Sequence, residues 1–179
     1  MIKINLEDTY EPVFISDDLT EFVFNSELKD GKVIDLHVKF SNIGNSFLPN
    51  VYNLAYGPLN HRGEIDDEIK LHHQNINKLF STIVFYAITF LDTYKERKVG
   101  IDGSNDGRAY WYHRMFQSNQ EELEELIIII GVDWYVRLLR DGNVERNEKG
   151  EPLFKPRPEP FDLKRRASDL YRYYLIERK

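Results

Sequence analysis

VIDLHVKF, residues 33–40, is the stretch on which the fold turns. Ile34, Leu36, Val38 and Phe40 are apolar, and Asp35, His37 and Lys39 separate them. Side chains of a strand alternate between its two faces, so this period of two predicts a strand with one packed and one wet face. Upstream, Glu21-Phe22-Val23-Phe24 is a short strand signal, and Asp30-Gly31 marks the turn between the two. Downstream, residues 42–49 carry loop chemistry. Residues 51–56 then alternate again as the antiparallel return strand, which Gly57-Pro58 stops.

Beyond an acidic excursion from His61 to Glu68 lies the strongest helical pattern, from about Gln74 to Lys95. Ile76, Leu79, Phe80, Ile83, Val84, Ala87, Ile88, Leu91 and Tyr94 recur at three- and four-residue steps. A short strand at Val99–Ile101 and a loop of turn-formers at Asp102–Gly107 follow. A second helix is expected from near Asp106 to about Glu125, with Tyr112, Met115, Phe116, Asn119, Leu123 and Leu126 on its inner face. Leu126 to Val132 holds four consecutive Ile and is short and β-branched, which predicts a buried strand. Trp134 to Leu139 is open to extending it past a bend. The stretch 141–160 carries Pro152, Pro156, Pro158 and Pro160, and is expected to be a loop or hairpin insert outside the core. Pattern alone leaves Tyr171–Glu177 open between strand and short helix.

This order predicts one α+β domain over 1–179: a mostly antiparallel sheet with two main helices on one face. The composition agrees. In 179 residues, 41% are hydrophobic and 13% aromatic, enough for one sizeable core. There are no cysteines, which excludes disulfide scaffolds, thiolate metal sites and a cysteine nucleophile. No apolar run follows a basic start, and residues 76–94 are interrupted by polar side chains. No membrane association and a cytoplasmic location are therefore expected. The net charge of −6 argues against a general nucleic-acid coater, although the C-terminal segment has a basic bias at Lys164, Arg165, Arg166, Arg172, Arg178 and Lys179.

The candidate site is VGIDGSNDGRAYWYHRMF, residues 99–116. A Gly-Ser loop running into a helix can present free N–H groups to an anion, with Ser104 and Arg108 completing the site. Asp102 and Asp106 would repel that anion, no Walker-type Lys-Ser or Lys-Thr follows Gly107, and a simple helix cap explains the same residues. Arg108 and His113 also have the spacing of the catalytic pair of HEPN-type ribonucleases. Those domains are all helical, and this chain has strands, so the two remain weak catalytic candidates. Tyr110, Trp111 and Tyr112 are consecutive, so one helix cannot bury all three. They are the candidate partner contacts. His61, Glu64, Asp66, Asp67, Glu68, His72 and His73 include metal-compatible donors but no metal-binding spacing, and neither a metal nor a cofactor is expected.

Two stretches, Asn50–Asp67 (NVYNLAYGPLNHRGEIDD) and Gly103–Met115 (GSNDGRAYWYHRM), resemble a family of small bacterial proteins, domain-of-unknown-function family 6934. The resemblance extends from about Tyr10 to Lys179 and includes Tyr171–Lys179, where it implies a closing strand. It implies a compact intracellular α+β protein and no established activity. It directs attention to Ser104 and Arg108, and to Arg108 as a tie to the acidic Glu64-Asp66-Asp67 segment. Taken together, the chain is expected to be a non-enzymatic binding or regulatory protein acting through a protein partner or as a homodimer. The alternative is a nucleic-acid-directed or phosphate-ligand-binding protein, toxin-like or defence-associated, using the Gly103–Arg108 loop and His113.

Overall fold

In the computed structural model, which describes residues 1–66, 69–103 and 106–179, eleven elements follow one another among the described residues. They are β1 (Pro12–Ile15), β2 (Glu21–Glu27), β3 (Val33–Asn42), β4 (Val51–Gly57), α1 (Ile76–Thr93), β5 (Lys98–Asp102), α2 (Asp106–Ser118), α3 (Gln120–Leu123), β6 (Ile127–Val136), β7 (Phe154–Pro160) and β8 (Tyr173–Arg178). The strands form one sheet in the order β1-β2-β3-β4-β5-β8-β6-β7. Among the described residues only β4 and β5 pair in parallel, joined by the α1 crossover; the other pairings are antiparallel. The fold is α+β, with the main helices against one face.

The alternation in β3 sorts the sheet as the sequence implies. Leu36, Val38 and Phe40 are buried under α1 with Phe22, Phe24, Leu54, Val99 and Ile101. The Phe40 and Phe90 rings stack at 4.4 Å, as do Phe22 and Tyr86. Asn75 caps α1 by accepting the Lys78 N–H at 2.9 Å. On the opposite face a smaller core gathers Leu48, Val51, Val132, Tyr173 and Leu175.

One element departs from expectation, and two that the pattern left open are resolved. The C-terminal segment is a strand, and an interior one: β8 lies between β5 and β6 with Tyr174, Leu175 and Ile176 buried. The second helix ends at Ser118 instead of continuing to Glu125. Asn119 is fully buried there, and its side chain accepts the Ile4 N–H (2.8 Å) and donates to the carbonyls of Ile2 (3.0 Å) and Met115 (2.7 Å). It thereby pins the N-terminal segment, and the short α3 follows. The proline-rich insert is a hairpin whose returning arm, β7, is a regular strand paired with β6 from Val136↔Phe154 to Ile130↔Pro160. Pro156, Pro158 and Pro160 fit because β7 is an edge, where a missing outward N–H costs no ladder bond. Gly131 in β6 is required by packing. A Cβ there would lie 2.3 Å from the ring of buried Tyr171.

Candidate functional site

The N-terminal half of α2 faces the end of β4 and the start of α1, and a cavity of about 220 Å³ opens between them. Its floor is apolar. Leu36 comes from β3, Ile76, Leu79 and Phe80 from α1, and Leu71 from the chain entering α1. Tyr56, Gly57 and Pro58 form one wall; Arg108, Trp111 and Tyr112, at helical spacing on α2, form another. Asp66 and His73 complete the polar lining.

Local chain chemistry explains why these residues meet. Gly57 lets the acidic loop fold back: a Cβ there would come within 2.4 Å of the Asp66 carbonyl oxygen. The Asp66 N–H donates to the Pro58 carbonyl at 2.8 Å, and the Asp66 carboxylate accepts the Ile69 N–H at 3.2 Å. His73 is held by an antiparallel bridge to Leu28 and by a 2.8 Å hydrogen bond between its Nδ1 and the hydroxyl of fully buried Ser26. Burial lowers the His73 pKa, so the imidazole is neutral at neutral pH. The Tyr112 phenol is pushed well above its ordinary range, first by burial and then by proximity to Tyr56 and a hydrogen bond between the two side chains. Arg108 also borders a smaller neighbouring cavity with Asn53, Asp102 and Tyr112. At the start of α2, Arg172 pairs with Asp106 at 2.6 Å.

The residues singled out by sequence are therefore distributed. Arg108 sits in the cavity wall together with Asp66, one of the acidic residues it was expected to approach. Ser104, Asp67 and Glu68 lie outside the described residues. Tyr110 and Trp111 are 47% and 53% exposed, whereas Tyr112 is buried. His113 is not the surface residue a simple helix would give. It is 3% exposed, lies 5.0 Å from the Phe161 ring and hydrogen-bonds the Leu163 backbone. Its Nδ1 is sealed from solvent without a partner among the described residues, and burial lowers its pKa. It borders a different cavity, with Tyr110, Arg114, Gln117 and Arg165, so Arg108 and His113 do not share one. Among the described residues, no three His, Asp or Glu side chains are grouped to hold a metal ion.

A model described as a family of unknown function (DUF6934) matches residues 6–150. The chain belongs to this family. The matched DUF6934 region contains every residue lining the cavity, from Leu36 to Tyr112, whereas β7 and β8 lie beyond it. No curated protein and no solved structure matches the chain. Among the described residues of this DUF6934 protein, no helix is long and apolar enough to cross a membrane.

Sequence pattern alone does not join His73, Ser26, Tyr56 and Leu71 into a common site. Tyr56 appeared as an ordinary strand residue and His73 as part of a polar loop. The Leu28–His73 bridge and the β4–α2 approach join segments far apart in sequence.

Proposed function

We propose that this protein is a non-enzymatic binding module, and that the cavity between α1 and α2 receives an apolar anchor side chain from a protein partner. The observation that carries this reading is an apolar-floored cavity of about 220 Å³ with half-exposed Trp111 in its wall. Small-molecule and cofactor sites run to about 300–1,000 Å³, so this cavity is closer in size to one or two side chains. Exposed Trp, Tyr and Arg beside a desolvating pocket are typical of the residues that dominate protein interfaces. Arg108, Asp66 and neutral His73 offer polar groups to orient the anchor at its backbone end. We take the setting to be the cytoplasm of a bacterium.

The experiment is photo-crosslinking in the native host from benzoylphenylalanine placed at Tyr110, beside the cavity but outside it. One dominant protein adduct is expected. It should disappear when Leu71→Trp fills the cavity, with the thermal transition of that variant retained as a folding control. A nucleic-acid adduct, or a protein adduct indifferent to Leu71→Trp, would overturn the reading.

A further inference from the structure

The two edges of the sheet are treated in opposite ways. At β7, Pro156, Pro158 and Pro160 occupy alternate positions, with Arg157 and Glu159 between them and Lys155 before them. No added strand could use the N–H groups of those prolines, and the intervening charges further discourage pairing. The other edge, β1, reads Pro12-Val13-Phe14-Ile15, with no charge and no proline after its first residue. Val13, Phe14 and Ile15 are 60%, 51% and 44% exposed. The Ser16 N–H donates to Glu21 of β2 at 2.9 Å, so by strand alternation the N–H and C=O of Ile15 face away from the sheet. Phe14 stands beside Val23 and Ile15 beside Phe22, so a strand laid against β1 would extend both apolar layers.

The charge around this edge selects its occupant. From Glu7 to Asp18 there are five acidic residues and no Lys or Arg: Glu7, Asp8, Glu11, Asp17 and Asp18. Asp8 is paired with Lys78 at 3.0 Å; Glu11 directly precedes the strand, and Asp17 follows it after Ser16. In an antiparallel dimer through β1, Glu11 of one copy would lie near Asp17 and Asp18 of the other, and like charges across a pair are unfavourable. A basic segment would instead meet opposite charge at both ends.

We infer that β1 is a docking edge that adds, as a further strand, an extended segment of a protein partner with alternating apolar residues and flanking Lys or Arg. Main-chain bonds to Ile15 supply affinity, and the acidic flanks supply specificity and a salt-sensitive association rate. This surface is separate from the α1–α2 cavity, and either reading can fail alone.

The test is a fluorescence-anisotropy titration of the full chain. One synthetic peptide carries alternating Val and Thr between Lys pairs; the second has the same centre between Glu pairs. The Lys-flanked peptide is expected to bind about tenfold more tightly at low salt, with the preference shrinking as salt rises. Hydrogen exchange at the Ile15 amide should slow on binding. In the double variant Glu11→Lys with Asp17→Lys the preference should reverse, which a misfolded protein could not produce. Equal binding of both peptides, no reversal, or an unprotected Ile15 amide in the complex would overturn the inference. So would a free protein that is already dimeric with Ile15 protected, because a second copy would then occupy the edge.

Discussion

Replacing Asn119 with Ala removes three hydrogen bonds at one fully buried point. The Ile4 N–H loses its acceptor, and the carbonyls of Ile2 and Met115 lose a donor. Ile2 and Ile4 are themselves buried, so water does not readily replace the amide. A buried polar group left unpaired costs about 1–3 kcal/mol. The Met115 carbonyl lies at the end of α2 and relaxes most easily, leaving two groups and about 2–6 kcal/mol. A second route limits the loss. The N-terminal segment can detach, which forfeits the burial of Ile2 and Ile4 at about 1.5–3 kcal/mol each but rehydrates both groups and restores chain entropy. The expected destabilisation is therefore about 2–4 kcal/mol, with a lowered denaturant midpoint and faster exchange at Ile4. Urea unfolding of Asn119→Ala with and without residues 1–4 provides the assay. The substitution should cost far less in the shortened chain, because the partners are gone. Equal costs in the two backgrounds, or a loss under about 0.5 kcal/mol in the full chain, would refute the clamp.

Other outcomes follow from the same packing. Gly131→Ala drives a Cβ into the Tyr171 ring and should cost about 1–3 kcal/mol, read by thermal unfolding. Ser168→Ala, at an exposed position, serves as a neutral comparison. His73 and His113 both have pKa values lowered by burial from the ordinary value of about 6.5. The unfolded chain thus binds more protons than the folded one below that value, so stability should fall as pH drops from 7 toward 5. Urea midpoints across this range check the sign; a midpoint that rises on acidification would contradict it. Asp133→Asn weakens the two-pronged contact with Arg165, which also stacks 3.8 Å from the Tyr171 ring. It should loosen residues 162–170, seen as faster proteolysis there, while leaving α1 exchange unchanged.

Much of the architecture was legible because it is written in local periodicity. The alternation of residues 33–40 fixes which face of β3 is packed, and the three- and four-residue steps of residues 76–91 fix α1. What escaped depends on neighbours. A four-residue strand such as β1, with three exposed apolar side chains in a row, has no alternation to read. The prolines of β7 signal a loop until the strand is known to be an edge. The break at Asn119 exists because the N-terminal segment, more than a hundred residues away in sequence, needs its amide. The site divides along the same line. Arg108 and the aromatic run Tyr110–Tyr112 stood out as local composition, and α2 carries Arg108, Trp111 and Tyr112 into one wall. Nothing local announces that Phe161 and Leu163 pack over His113. His73 gained its place only through β2, which supplies both Leu28 and Ser26.

The most direct test of the anchor-pocket reading uses the two tryptophans. Trp111 lines the cavity, whereas Trp134 lies on β6 beside Tyr173 on the opposite face of the sheet. In protein labelled with 5-fluorotryptophan, titration with N-acetylphenylalaninamide is followed by fluorine NMR. A saturable shift of the Trp111 resonance is expected, with an unmoved Trp134 resonance and loss of the response in Leu71→Trp after its added resonance is assigned. Equal movement of Trp111 and Trp134, or no movement of Trp111 up to the solubility of the amide, would contradict that reading.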